Sequence, residues 1–94
     1  MVLIGHPLLD AFTKKHIDSR VWIDNRISDT LGAKWKGPQD IKKRYASASF
    51  LQDNIIIFNV KGNSYRLETQ VAYQTGIVSV KWVGTHAEYT RKYK

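Results

Sequence analysis

The chain has 94 residues, with fifteen Lys and Arg against eight Asp and Glu, a formal net charge of +7, and no cysteine. The lack of cysteine excludes disulfides and thiolate metal sites, and a hydrophobic fraction of 43% is typical of a globular rather than a disordered chain. We predict one domain over residues 1–94. With neither a signal peptide nor an apolar run long enough to span a membrane, it is expected to be soluble and cytoplasmic.

The positive charge favours a polyanionic partner. It raises the local concentration of RNA, DNA, anionic lipid or an acidic protein without choosing among them. The aromatic fraction of 12% shifts the balance toward nucleic acid, because aromatic rings stack on bases, although the same rings could serve the core.

Two helices are predicted in the first third of the chain, after a short edge strand at residues 2–4. Pro7 suits the first position of a helix, so the first helix is expected to begin near residue 7, with Leu8, Leu9 and Phe12 as its apolar face.

The second predicted helix covers residues 19–34. Ile23, Ile27 and Leu31 recur at helical spacing, and either Trp22 or Thr30 completes this apolar face. Gly37 and Pro38 are expected to end it.

Residues 39–54 are less regular, with one short helical turn predicted at residues 40–45 and a loop at 47–49. The basic run Lys42, Lys43 and Arg44 has two interpretations. It is either a solvated face or a contact with RNA backbone.

A β-hairpin follows. Residues 55–60 form a β-branched strand, and Gly62-Asn63 is a suitable two-residue loop because both residues tolerate positive φ. This register pairs Val60 with Tyr65 and Asn59 with Arg66. By alternation, two faces result, one carrying Phe58, Val60, Tyr65 and Leu67, the other Asn59, Lys61 and Arg66.

A third strand is predicted at residues 77–83, with Val78, Val80 and Trp82 on its apolar side. Matching the apolar faces places Leu67 near Trp82, so Lys81 is expected on the face of Arg66. His86 and Tyr89 should then emerge near the arginine on a short terminal helix. The other face of the sheet would pack against the helices through Phe58, Leu67, Val71 and Trp82.

The side chains expected to converge suit cleavage of a phosphodiester. Arg66 presents a planar fork to phosphate oxygens, lysines add positive charge, and His86 or Tyr89 can exchange protons. In RNA the 2′-hydroxyl is the nucleophile, so no metal or cofactor is expected.

Each of these residues also has a structural interpretation. Arg66 could form an ion pair with Glu68 or Glu88, and Lys81 could pair with Glu68. His86 could be a local cap and Tyr89 a packing residue. Asn59 and Asn63 could shape the hairpin.

Two segments carry a family resemblance. Residues 58–67 read Phe-Asn-Val-Lys-Gly-Asn-Ser-Tyr-Arg-Leu, and residues 84–89 read Gly-Thr-His-Ala-Glu-Tyr. At this spacing they resemble the HigB branch of the RelE-like toxins of bacterial toxin–antitoxin systems. The resemblance implies an α+β fold with a short N-terminal strand, two helices packed on an antiparallel sheet, and a short C-terminal helix or tail.

The resemblance also implies an activity and partners. It implies an endoribonuclease that cuts translated mRNA on the ribosome and is neutralised by a HigA-like antitoxin with a DNA-binding helix-turn-helix. Toxin and antitoxin together would bind their operator DNA. The alternative is a non-catalytic RNA-binding or ribosome-binding basic module, and a weaker one is a protein-interaction domain with an acidic partner.

By position, Arg66 resembles the phosphate-stabilising arginine of the family. His86 and Tyr89 occupy the segment that holds acid–base and orienting groups, and Lys61 and Lys81 resemble backbone or transition-state contacts. Some relatives carry more basic residues on the first hairpin strand, where Ile57 and Asn59 stand here. The resemblance therefore leaves the general base open.

Overall fold

A five-stranded mixed sheet forms the centre of the protein in the computed structural model, which describes residues 1–92. The strands are β1 (Val2–Ile4), β2 (Ser49–Phe50), β3 (Ile55–Val60), β4 (Tyr65–Ala72) and β5 (Ile77–Thr85). The helices are α1 (His6–Lys15), α2 (Arg20–Gly32), α3 (Pro38–Arg44) and α4 (His86–Lys92). The sheet order is β1-β5-β4-β3-β2, with β1 parallel to β5 and the other neighbours antiparallel.

This architecture confirms the predicted α+β fold, and it also shows where the helix boundaries were wrong. The second helix ends at Gly32, and Pro38 begins α3 instead of closing the preceding helix. Proline lacks an N–H and has a helical φ, so it is well tolerated in the first turn. The loop predicted at residues 47–49 gives way at its end to β2, which pairs with β3.

The hairpin register between β3 and β4 is confirmed. Val60 pairs with Tyr65 and Asn59 with Arg66. The loop conformation differs from the prediction, because positive φ falls on Lys61 (52°) and Gly62 (63°), and Asn63 is not in the left-handed region. The register is unaffected, since the same four residues separate the two strands.

The predicted register between β4 and β5 is wrong by one residue from Arg66 to Glu68, whereas its continuation agrees with the pairing from Thr69 to Ala72. Leu67 pairs with Val83, and Glu68 pairs with Trp82, because a β-bulge opposite Glu68 and Thr69 inserts Lys81 as an extra residue. One inserted residue reverses the alternation of side chains beyond it. Trp82 therefore lies on the face of Arg66, and Val83 takes its place against the core.

The core lies between the other face of the sheet and the helices. Its buried members include Leu9, Phe12, Ile23 and Ile41 from the helices, and Phe58, Val60, Leu67, Val71, Val78 and Val80 from the sheet. Each large side chain of this kind contributes roughly 1.5–3 kcal/mol on full burial. The helix packing predicted on Phe58, Leu67 and Val71 is confirmed, whereas the packing predicted on Trp82 is not.

The buried apolar faces of α1 and α2 are narrower than predicted. Leu8 is 46% exposed, and the apolar face of α2 is completed by buried Thr30, while Trp22 and Leu31 are 47% and 53% exposed. Thr30 is tolerated there because its hydroxyl donates to the carbonyl of Arg26 at 2.7 Å.

Candidate active site

Arg66 lies on β4, on the sheet face opposite α1 and α2. Its neighbours across the sheet are Asn59 on β3 and Gly84 on β5. Since Gly84 has no side chain, the ring of Trp82 occupies the space that its Cβ would fill. Arg66 is only 8% exposed, so the surrounding groups hold it closely.

The Arg66 guanidinium is fixed by its own hairpin. Nη1 donates to the carbonyl oxygens of Asn63 and Tyr65 at 3.2 and 3.1 Å, and Nη2 lies 3.5 Å from Asn63 Oδ1. Within residues 1–92, no carboxylate forms a salt bridge with Arg66, so the alternative interpretation, an ion pair with Glu68 or Glu88, is not realised. Asn63 thus holds Arg66 within the hairpin, in line with the interpretation that Asn63 shapes the hairpin.

Tyr89 brings α4 against the arginine. Its ring centroid is 5.7 Å from Arg66 Cζ, within the range of a cation–π contact. The same ring is 6.4 Å from the ring of Trp82. Tyr89 therefore has a packing role in addition to lying beside the arginine.

The start of α4 is held by a reciprocal cap. The Thr85 N–H donates to Glu88 Oε1 at 2.8 Å, and the Glu88 N–H donates to Thr85 Oγ1 at 3.1 Å. The hydrogen bond from the Thr85 backbone is the main cause that lowers the pKa of Glu88 below its ordinary value. The spacing Thr-x-x-Glu is the sequence signature of a capping box, and sequence reasoning missed it here.

His86 is the first residue of α4, and its side chain is exposed. Its backbone N–H donates to the carbonyl of Ser64 at 3.0 Å. Because Ser64 follows Asn63, one loop holds both Arg66 and the beginning of α4. The structure thus places His86 beside the hairpin, as predicted, through a backbone contact.

Lys61 does not join Arg66, which corrects the prediction. Its Nζ contacts Asp18 Oδ2 at 2.6 Å, and the Tyr65 hydroxyl donates to Asp18 Oδ1 at 2.5 Å. Tyr65 faces the helices, so Lys61 reaches that side too. The cause is the left-handed conformation of Lys61, which ends the alternation of β3 before this residue.

These contacts shift the pKa values of Asp18 and Tyr65. Hydrogen bonds first from Lys61 and then from Tyr65 lower the pKa of Asp18, and the bond to Asp18 raises the pKa of Tyr65.

Lys81 is also displaced from its predicted position. As the extra residue of the bulge, it has no cross-strand partner and lines a groove beside α1 with Leu8, Phe12 and others. The alternative interpretation of Lys81, a pair with Glu68, is not realised among residues 1–92. Instead, Lys92 Nζ lies 2.5 Å from Glu68 Oε1.

The remaining residues predicted to contact RNA, Asn59 and the basic run at 42–44, lie in different parts of the structure. Asn59 shares the face of Arg66, and its carbonyl accepts from Arg26 Nη2 at 2.6 Å on the helix side. The basic run lies on α3 and is exposed, but two of its members bind the protein. Lys42 Nζ donates to the carbonyl of Ala46 at 2.7 Å, and Arg44 pairs with Asp29 at 2.8 Å; Lys43 is the third member.

The helices described in residues 1–92 lack the length and apolar character of a membrane-spanning segment. Nor do three or more His, Cys, Asp or Glu side chains cluster in that range as metal ligands would.

The arrangement defines a class of protein, a basic α+β domain whose sheet presents a fixed arginine beneath a capped C-terminal helix. A family model described as HigB_toxin, RelE-like toxic component of a toxin-antitoxin system, matches residues 19–92. The chain therefore belongs to this family of toxins, which implies an antitoxin as partner. None of the curated proteins compared with the chain matches it.

Proposed function

We propose that the protein is a ribosome-dependent mRNA interferase, an endoribonuclease that cleaves translated mRNA. Membership of the HigB family supports this proposal. The observation that carries it is Arg66, a guanidinium fixed by Asn63 and without a salt-bridge partner among residues 1–92. A buried cation held in this way retains its charge for an external anion.

The chemistry uses a nucleophile of the substrate. The 2′-oxygen forms a bond to the adjacent phosphorus as the bond from phosphorus to the 5′-oxygen breaks, leaving a 2′,3′-cyclic phosphate and a 5′-hydroxyl. Negative charge on the phosphoryl oxygens grows in the transition state, and Arg66 stabilises that charge. His86 or Tyr89 takes the proton of the 2′-hydroxyl or returns one to the leaving oxygen.

Access to Arg66 requires a local movement. Arg66 as a whole residue is 8% exposed, and we propose that a phosphate reaches its guanidinium when α4 or the loop at residues 61–64 shifts. The hydrogen bond from His86 N–H to Ser64 O and the contact of Tyr89 with Arg66 are the interactions that such a shift would change. The ribosome is proposed to position the codon, and the net charge of +7 favours association with its RNA surface.

The proposed site therefore comprises Arg66, His86 and Tyr89, with Asn59 beside them. Lys61 and Lys81 are left out because one is paired with Asp18 and the other lies in the bulge. The basic run at 42–44 is proposed as a backbone contact with RNA outside the reaction centre.

We also propose that the antitoxin is HigA-like, carries a helix-turn-helix, and brings the toxin to operator DNA. Family membership supports a partner of this kind. Coexpression with the product of the neighbouring reading frame should then relieve growth arrest, and the purified complex should bind the DNA upstream of the two genes.

The decisive experiment is induction of the chain followed by mapping of mRNA 5′ ends. Arg66→Ala should abolish cleavage and growth arrest while the protein remains folded. Arg20→Ala is the charge-matched control, because Arg20 is exposed on α2 and contacts Asp24 at 3.8 Å. It should cleave like the wild type.

A folded Arg66→Ala variant that cuts mRNA at the wild-type rate would refute the mechanism. A wild-type protein that binds RNA in a salt-dependent manner without any cut product would instead establish the non-catalytic alternative.

A further inference from the structure

Trp82 forms an aromatic surface beside Arg66. Regular alternation along β5 would instead have placed this side chain on the core face, with Val78 and Val80. The bulge at Lys81 turns Trp82 onto this face, where it pairs with Glu68 across the sheet, two residues from the pair of Gly84 with Arg66. We propose that Trp82 is a base-stacking residue for single-stranded RNA, binding the base of a nucleotide next to the cleaved phosphate. This inference rests on the proposed function.

The position of the Trp82 ring is set by Gly84. A Cβ atom added to Gly84 would lie 2.5 Å from Trp82 Cζ2 and 2.6 Å from Cη2, so the indole rests against bare backbone. Such a contact fixes the ring along the strand toward Arg66. A ring held in this way loses little rotamer freedom when a base stacks on it.

Tyr89 links the indole to the reaction centre. Its ring lies 6.4 Å from the Trp82 ring and 5.7 Å from Arg66 Cζ. Arg66 and Trp82 thus both lie against Tyr89, and the cross-strand partners of Arg66 and Glu68, Gly84 and Trp82, are two residues apart on β5. Aromatic rings beside a fixed cation are the combination that binds single-stranded nucleic acid.

Lys92 supplies a positive charge at the same place. Its Nζ is 4.8 Å from the centroid of Trp82 and 2.5 Å from Glu68 Oε1, with the lysine side chain 37% exposed. A nucleotide can replace this cation on the ring, with the base on the indole and the adjoining phosphate near the ammonium. The favourable charge of Lys92 is retained in the exchange.

A purely structural role for Trp82 makes a different prediction. If the indole only docks α4 onto the sheet, an apolar residue that fills its space should serve equally well. Trp82→Leu keeps apolar bulk and removes the π-face, whereas Trp82→Phe keeps a smaller π-face. The two variants therefore separate stacking from packing, and their melting temperatures report any difference in packing.

The binding experiment uses a single-stranded RNA of mixed sequence that is 2′-O-methylated throughout, which the proposed chemistry cannot cleave. Tryptophan emission is measured in a Trp22→Phe background, because Trp22 is 47% exposed whereas Trp35 is buried at 9%. RNA should quench the emission of the protein that retains Trp82 to saturation. The affinities of all three proteins are compared by the fluorescence anisotropy of end-labelled RNA, a readout that does not need the indole. Trp82→Leu should weaken binding by roughly 5- to 150-fold, and Trp82→Phe should recover most of the loss.

Absence of quenching, or equal affinity of the Leu and wild-type proteins, would overturn the stacking role. Mapped mRNA 5′ ends report cleavage separately. Cleavage without quenching would leave the proposed function intact and refute only this inference. Quenching without cleavage would confirm the stacking surface and refute the nuclease.

Discussion

Thr85 and Glu88 cap each other at the start of α4, each backbone N–H donating to the side chain of the other, at 2.8 and 3.1 Å. The pair matters because α4 carries both His86 and Tyr89. The segment that resembles the toxin family at 84–89 thus contains the cap that sets the helix as well as the two proposed functional side chains.

Removing this cap should loosen α4 without unfolding the sheet. Thr85→Ala is expected to cost about 1 kcal/mol of stability and to increase hydrogen exchange of amides in α4. Cleavage should fall, because His86 and Tyr89 lose their fixed position. Thr75→Ala, in the turn between β4 and β5, is the control; unchanged exchange in α4 of the Thr85 variant would contradict the assignment.

The cap should also depend on pH. The pKa of Glu88 is lowered below its ordinary 4.5 in the folded protein, so its contribution to stability is present above pH 4.5 and is lost as the pH falls through the folded pKa. The difference in unfolding free energy between wild type and Glu88→Gln should therefore shrink in acid. Denaturant titrations across this range measure it, and a difference that grows as the pH falls would show the opposite sign.

Gly84 should not tolerate a side chain. Gly84→Ala places a methyl group against the Trp82 ring and should destabilise the protein by about 1–3 kcal/mol. Gly32→Ala is the matched control, since no atom lies within 4 Å of an added Cβ at the end of α2. That change should be neutral or stabilise by about 0.4–1 kcal/mol.

A double-mutant cycle locates the clash. Trp82→Leu should relieve much of the cost of Gly84→Ala, because the two residues share one contact. Strict additivity of the two changes would place the cost elsewhere.

Of the two proposed proton-transfer groups, His86 and Tyr89, the role of His86 can be tested most directly. His86→Gln should lower the single-turnover cleavage rate by about two to four orders of magnitude, because a positioned acid or base contributes that much. His6→Gln, an exposed residue at the start of α1, should cleave like the wild type. A loss in the His86 variant no greater than in the control would leave Tyr89 as the remaining candidate.

The hairpin illustrates how far local pattern determines structure. The pairing of Val60 with Tyr65 and of Asn59 with Arg66 follows from apolar alternation and from the four residues between the strands. The loop conformation differs from the prediction, because Lys61 rather than Asn63 has a positive φ. This conformation points the Lys61 side chain toward Asp18.

The third strand shows the limit of the same pattern. Val78, Val80 and Trp82 alternate as one apolar face, yet the bulge at Lys81 divides them. The alternation of apolar residues does not predict an inserted residue. A bulge is stabilised by the tertiary contacts that the residues beside it make once the strand has shifted. Here Val83 reaches the core, and Trp82 packs against Gly84.

The order of residues was sufficient to establish the fold class, the hairpin register, the position of Arg66 opposite the helices and the family. These features depend on periodicity and on short-range turns, which are local properties of the chain. The makeup of the site required the folded protein, because it depends on contacts between distant segments. Three features join residues that no local pattern relates. They are the ion pair of Lys61 with Asp18, the position of Trp82 beside Arg66, and the ion pair of Lys92 with Glu68.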